Sequence, residues 1–413
     1  MSKLINNLRK LFSEGPIGVY FMAFFIPLSP KMLGVAVALI IVEQLIRRPK
    51  IDLSYLKSQF SWRNPGIWIL GFYLLHLVGL IHSENMKFAN MDLGMKASLG
   101  VLPLFFMLYS VKVNWKLFVK VFIIGAFISI LYNVYLSSEV FLRHLHVYYI
   151  SGEHLSHLMH RGYWAVYLIL AYFFLLKLMI ESENKKSFFL NLTGALIMIA
   201  FVFLSGSKVG FILLFFVSIW AVISLFKKFN NKWILPVSIA VLAVGIASVF
   251  YLAPSITGRL NLAINSMNAS IDSFDKEHPE STASRIMVWD SSLELIKENF
   301  WWGVGTGDIK DELIQRNFDK GYTGVAKQKL NSHNQFFNSH IALGIFGSLF
   351  LLLSIVTSYL KRKPDNYRAW RIGIISILCV ALLPESMLET QAGIIPYAFF
   401  ISFLPSFLPQ QRA

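Results

Sequence analysis

Long apolar runs, interrupted by clusters of charge, glycine and proline, set the pattern of this chain. Their limits predict helices at residues 16–29, 32–46, 65–81, 97–111, 117–137, 162–180, 188–205, 209–226, 233–252, 334–360, 367–383 and 392–409. That is twelve helices, the first two short, and one long polar stretch between the ninth and the tenth. The expected order is 1–252 with helices one to nine, 253–333 as a loop outside the membrane, and 334–413 with the last three. Within the loop, Pro254 opens a stretch without periodicity that runs to His278-Pro279-Glu280. Ser281 to Ser284 then supply helix-start residues. Ile286, Trp289, Leu293, Ile296 and Phe300 recur three or four positions apart, a stripe suited to a helix lying on a membrane surface. The run Gly303-Val304-Gly305-Thr306-Gly307 reads as a tight turn, because a dinucleotide fingerprint needs a strand before it and a βαβ frame around it.

Composition agrees with the pattern. Of 413 residues 55% are hydrophobic and only 15% charged, against about 25% charged in soluble domains. The fold class expected is an all-α polytopic membrane protein of about 12 transmembrane helices, with no room for a large soluble catalytic domain. The formal charge of +15 is explained by its distribution. With the N-terminus inside, loops on the cytoplasmic side hold 23 Lys and Arg, and the short loops opposite hold six. Both termini are therefore expected in the cytoplasm and the long loop outside, which in a bacterial inner membrane means the periplasm. The charge then needs no nucleic-acid partner. Cys379 stands alone, which excludes an intrachain disulfide and a cysteine-based metal site. Lys3, Arg9 and Lys10 precede an apolar run without a small-x-small cleavage site, so the first helix is expected to be retained.

The chemistry-bearing residues gather on the predicted outer face. Arg161 opens the sixth helix in His160-Arg161-Gly162-Tyr163, Lys208 sits in the short turn Ser205-Gly206-Ser207-Lys208, and Arg285 and His333 come from the long loop. Any one of the cations could be a snorkelling side chain. Arg285 falls near the start of a helix, where a cation is disfavoured, so it is expected to join the helix amides in holding an anion. His333, beside Asn334 at the entry to the tenth helix, is either a capping residue or a general base. The last outer loop, Pro384 to Gln391, places Glu385 and Glu389 a helical turn apart on the side of the arginines, able to orient a base or bind a sugar hydroxyl. His144, His146, His154, His157 and His160 match no closed metal site and read as a solvated loop. No Asp-x-Asp pair occurs, so the usual device for holding a divalent ion on a sugar diphosphate is missing. His76 and Glu43 are ionisable residues deep within predicted helices.

Taken in order, Ser284-Arg285-x-x-x-Trp289, Gly303-Val304-Gly305-Thr306-Gly307 and His333-Asn334-x-Phe336 leading to Gly344-Ile345-Phe346-Gly347 resemble the signature of the O-antigen ligase and polymerase superfamily of bacterial membrane glycosyltransferases. Gly79 to Asn85, Lys96 before Leu102-Pro103-Leu104, His160-Arg161-x-Tyr163 and Pro384 to Glu389 are similar to the version found in Bacteroidetes-type bacteria. The resemblance runs over most of the chain. It implies a C-type glycosyltransferase fold and a metal-independent, inverting transfer that needs no cofactor. The donor would be a glycan on undecaprenyl diphosphate and the acceptor a lipid A-core sugar hydroxyl, with membrane lipids as surroundings. His333 matches the family's catalytic histidine and Arg285 its loop arginine. Lys208 falls where many members have arginine, and Trp301 and Trp302 stand where a proline is common. Arg161, Lys208 and Arg285 are the expected diphosphate ligands; Asn334, Glu385, Glu389, Lys96, His160 and Tyr163 are expected to support the site. Within the superfamily a ligase is favoured over a polymerase or a protein O-oligosaccharyltransferase. The rival from another class is a membrane transporter, which would place ionisable residues deep in several helices and show two similar halves.

Overall fold

The computed structural model describes residues 16–47, 50–229, 254–360, 367–406 and 408–409. Apart from a two-residue parallel pairing of Lys112–Val113 with Leu408–Pro409, the regular structure described is helical. The helices are α1 (Ile17–Phe25), α2 (Pro30–Arg47), α3 (Leu53–Gln59), α4 (Pro65–Val78), α5 (Met86–Lys96), α6 (Ser98–Leu108), α7 (Trp115–His144), α8 (Arg161–Glu181), α9 (Lys185–Ser205), α10 (Lys208–Phe229), α11 (Pro254–Asn268), α12 (Ser281–Glu298), α13 (Ile309–Asp319), α14 (Thr323–Lys327), α15 (Gln335–Ser358), α16 (Arg368–Ala381) and α17 (Gln391–Ser406). Eleven of the twelve predicted apolar segments fall on helices; the segment at 233–252 lies outside the described residues. Among the described residues, six helical stretches are long and apolar enough to cross a membrane: Met86–Leu108, Trp115–His144, Arg161–Glu181, Lys185–Ser205, Lys208–Phe229 and Gln335–Ser358. The chain is thus a mostly helical multi-pass membrane protein.

Local chemistry accounts for the helix ends. Asn64, Asn85, Asn184 and Asn334 each accept a backbone N–H of the first turn they precede, and Pro65 occupies the first position of α4, where its missing N–H costs nothing. One predicted boundary moved. The segment expected to begin at 97 instead runs from Met86 through α5 and α6, because the charges that cut the apolar pattern, Asp92 and Lys96, neutralise one another one turn apart on α5.

The chain divides into two compact units. The first combines Met1–Ala23, Pro30–Phe118 and Ser266–Ala413; the second combines Phe24–Ser29 and Val119–Asn265. In the first, α4 lies on α15, with the Trp68 ring edge-on to Phe350 at 5.4 Å and Gly71 flush against that ring. Helix α17 packs its Phe399 and Phe403 against Phe106 of α6. Glu43, buried on α2, accepts from the backbone N–H groups of Ile17 (3.2 Å) and Gly18 (2.9 Å), so this deep carboxylate is a cap for α1. In the second unit α8 packs with α9 and α10 through small residues: Gly194 faces Leu175 and Gly210 lies against Ala165. Two of its buried polar side chains are met inside the bundle, Tyr172 by Ser218 at 3.1 Å and Trp164 by Ser129 at 3.0 Å.

Helix α15 is broken at Gly344, whose φ of 63° and ψ of −159° take it out of the helix. A broken helix leaves backbone groups that lipid cannot satisfy. The turn after α12 supplies partners: Val304 donates to the Ile341 carbonyl (2.7 Å), Gly305 to Ala342 (3.1 Å), and Ile345 donates to Phe300 (2.9 Å). The approach is close enough that a Cβ on Gly344 would lie 2.1 Å from the Trp301 carbonyl oxygen, and one on Gly303 would lie 2.5 Å from Ala342. The glycine run is therefore a tight turn, as the sequence predicts, and its glycines let two backbones meet.

Candidate functional site

Glu385 joins the two residues that the sequence singles out for catalysis. One carboxylate oxygen accepts from the Arg285 guanidinium at 2.7 Å, and the other faces His333 Nδ1 at 3.3 Å. The three side chains are 18%, 14% and 23% exposed in the order Arg285, Glu385, His333, so the ion pair is partly screened from water yet open on one side. A carboxylate opposite Nδ1 keeps the imidazole proton there and leaves the Nε2 lone pair outward. Among the described residues Nε2 has no hydrogen-bond partner.

His333 is held in an unusual backbone conformation, φ 43°, with its N–H donated to Asn331 Oδ1 at 3.0 Å. A non-glycine residue in this region costs about 1–3 kcal/mol and persists only where neighbours over-determine it. Ser332 supplies that constraint. Its hydroxyl donates to the Asn334 carbonyl (2.9 Å) and lies 3.2 Å from Ser386 Oγ and 3.3 Å from Asn338 Oδ1, while its carbonyl accepts from Trp289 Nε1 at 2.9 Å. Asn334, expected as a supporting site residue, spends its side chain capping α15 through the N–H groups of Phe336 and Phe337.

Arg285 differs from its expected setting. The N-cap of α12 is Glu280, whose carboxylate accepts from Ala283 N at 2.7 Å, so a side chain already occupies the helix amides expected to help hold an anion. Arg285 sits one turn further in and reaches back to Ser281 Oγ at 2.9 Å as well as across to Glu385. Its Nε is buried and meets no acceptor among the described residues. The predicted stripe of α12 is its less buried face: Leu293 and Phe300 are exposed, and Met287, Val288, Ser291, Ser292 and Leu295 are buried instead, with Ser291 bonded to Asn317 at 2.8 Å.

A second cluster lies in the same unit. Lys96 Nζ, fully buried, bonds both Asp92 oxygens at 2.7 and 2.9 Å and Glu389 at 3.0 Å. Glu389 also accepts from Gln335 Nε2 at 3.5 Å, and Gln335 Oε1 accepts from Leu388 N at 2.7 Å. Burial pushes the Glu389 carboxyl up to about 7; Lys96 pulls the other way and Asp92 adds to the rise. His76 lies 4.0 Å from Asp92 and 3.2 Å from the Thr306 hydroxyl, which donates to the His76 carbonyl. The segment bearing Glu385 and Glu389 forms turns and a short 3-10 helix rather than the α-helical turn expected, so the two carboxylates serve different partners. Asp92 and Gln335 were not anticipated; Asp92 reads as an ordinary i, i+4 partner of Lys96, and nothing local marks Gln335.

The motifs Gly79 to Asn85 and Gly303 to Asp308 interlock. Asp308 accepts the N–H groups of Glu84 (2.8 Å) and Asn85 (2.7 Å), and Ser83 Oγ accepts from Gly307 N at 2.9 Å. These residues tie the middle of the long polar segment to the start of α5.

The remaining expected site residues belong to the second unit. His160 caps α8, accepting from Gly162 N at 3.3 Å, with the Tyr163 ring 6.1 Å away; Arg161 pairs with Glu153 at 3.2 Å; Lys208 begins α10 two residues after the left-handed Gly206. In the histidine-rich stretch, His157 bonds Ser137 at 2.9 Å and the His144 ring stacks on Tyr149.

An uncharacterized protein of Haemophilus influenzae is 27% identical over 183 residues, which are 43% of this chain and 44% of that protein, so the match spans less than half the relative's length. Residues 193–352 match the family model described as O-Antigen ligase, a stretch that holds Lys208, Arg285, the glycine turn and His333. That match supports the resemblance of this part of the chain to the O-antigen ligase and polymerase superfamily, whose members are membrane glycosyltransferase-like enzymes.

Proposed function

We propose that this protein is a glycan ligase that moves a glycan from undecaprenyl diphosphate to a sugar hydroxyl of lipid A-core at the periplasmic face of the inner membrane. The observation that carries the proposal is the Arg285–Glu385–His333 bridge with Nε2 unpartnered. In this reading Nε2 takes the proton of the acceptor hydroxyl while its oxygen attacks the anomeric carbon. The bond from that carbon to the diphosphate breaks on the opposite face, the configuration inverts, and polyprenyl diphosphate leaves with its added negative charge. Arg285 stabilises that charge, and the diphosphate supplies the acceptor that its buried Nε lacks. Glu385 holds the base in the useful tautomer and shares the arginine between substrates.

The polymerase and protein O-oligosaccharyltransferase readings use the same chemistry on another acceptor. A transporter draws on a different observation, the ionisable set His76, Asp92 and Lys96 buried among apolar helices with Glu389 beside it. Lipopolysaccharide from a deletion strain, complemented with wild type or His333→Ala at equal membrane levels, separates them. Loss of the whole ladder over intact core, restored only by wild type, supports the ligase. Core bearing a single repeat indicates a polymerase. An unchanged ladder removes the ligase and turns attention to glycoproteins or transport.

A further inference from the structure

The segment 385–389 works as a strap tied through four of its residues. Glu385 meets Arg285 and His333; Ser386 Oγ accepts from Asn334 N at 3.2 Å; Leu388 N donates to Gln335; Glu389 meets Lys96. Its own backbone adds only local turn bonds, Met387 to Glu385 and Glu389 to Ser386, in a single 3-10 turn, so no α-helix stiffens it. Where the strap sits depends on its anchors, and the Lys96 anchor is buried. Lys96 has a side chain 3% exposed, clasped by Asp92, and cannot itself reach a substrate. A buried ammonium clasped by a buried carboxylate and a half-buried one adds little stability compared with apolar packing, so such a group is better understood by what it holds in register.

We propose that Glu389 is a positioning residue for His333: gripped by Lys96 and Asp92 and bridged by Gln335, it fixes the strap so that Glu385 stays opposite Nδ1. The inference rests on the reading of His333 as the base, and it adds Asp92, Lys96, Glu389 and Gln335 to that site as an anchor without substrate contact. Glu389→Ala removes the pin but leaves the Lys96–Asp92 pair neutral and intact. Glu389→Gln keeps an amide oxygen for Lys96.

Two readouts on the full chain in lipid are needed. One is glycan transfer from membrane-extracted lipid-linked glycan. The other is the His333 tautomer by ¹⁵N NMR of histidine-labelled protein, assigned with His333→Gln. Glu389→Ala is expected to lower turnover about tenfold, with donor KM within about threefold, and to give mixed His333 tautomers. Glu389→Gln is expected to restore both. If Glu389→Ala does not accumulate, Gln335→Met, which severs the Leu388 and Glu389 bonds without touching a charge, is read the same way. A single Nδ1-protonated tautomer in Glu389→Ala overturns the proposal whatever the rate. A tautomer that responds in a protein whose wild type transfers no glycan upholds the anchor and removes the proposed reaction instead.

Discussion

Replacing Glu385 with glutamine tests the bridge with almost no change of shape. The carboxylate accepts on both sides, from Arg285 at 2.7 Å and toward His333 at 3.3 Å. An amide accepts on only one. With its oxygen on Arg285, its NH₂ faces Nδ1, demands a lone pair there and drives the imidazole proton to Nε2, where the base must have none. With its oxygen on His333, two donors confront each other and the arginine loses a charge-assisted bond worth about 1.5–3 kcal/mol. The wrong tautomer is therefore the ground state, and reaching the productive one costs about that amount. At about 1.36 kcal/mol per decade this lowers turnover by roughly one to two orders of magnitude. The loss is bounded by the roughly 10²- to 10⁴-fold that a positioned general base contributes. The assay is transfer by purified protein in lipid, with kcat and donor KM measured separately. Turnover of Glu385→Gln within about threefold of wild type, at the same amount of folded protein, refutes the bridge as the setting of the base.

Further outcomes follow from the same contacts. Gly344→Ala puts a methyl where the Trp301 carbonyl stands and disturbs the three backbone bonds that patch α15, at about 1 kcal/mol each; thermal unfolding in detergent is expected to drop clearly, and a wild-type midpoint contradicts the patch. Asp308→Ala leaves the Glu84 and Asn85 amides without their acceptor and is expected to cost about 1–3 kcal/mol in the same assay. The charged face between α12 and α13 gives a pH dependence. Hydrogen bonds from Arg316 hold Glu298 below its usual 4.5, and those from Lys320 hold Glu294 below it. A depressed carboxyl contributes stability above the unfolded value that is lost as pH falls through the folded one. Proteolysis of this region is therefore expected to rise modestly on acidification below about 4.5 and not between pH 8 and 6, with Arg316→Ala weakening the difference.

Hydropathy made the helices legible because lipid-facing and buried positions are alike apolar, so the run length alone marks α7 to α10 and α15. It misjudged the start of the Met86–Leu108 helix, since Asp92 and Lys96 look like an interruption until their pairing is seen. The break at Gly344 was hidden for the opposite reason: Gly344-Ile345-Phe346-Gly347 is apolar and reads as continuous helix. For the site, residue type and order pointed to Arg285 and His333. Their link through Glu385, a hundred positions beyond Arg285, exists only in the folded chain. Lys96 and Glu389 were visible as charges out of place, but their mutual contact and the role of Gln335 depend on how α5, α15 and the last loop pack. Asn334 and His160, expected to support the site, also cap helices, a contact that depends on the local fold rather than on residue type.

The central claim is that His333, set by Glu385, takes the proton in a glycan transfer. The direct measurement uses purified full-length protein in lipid nanodiscs with lipid-linked glycan, lipid A-core and EDTA, following both glycosylated core and released polyprenyl diphosphate. Wild type is expected to form the two in equal amounts, and His333→Ala, folded to the same extent, to fall at least a hundredfold in both. Transfer by His333→Ala at the wild-type rate contradicts the account.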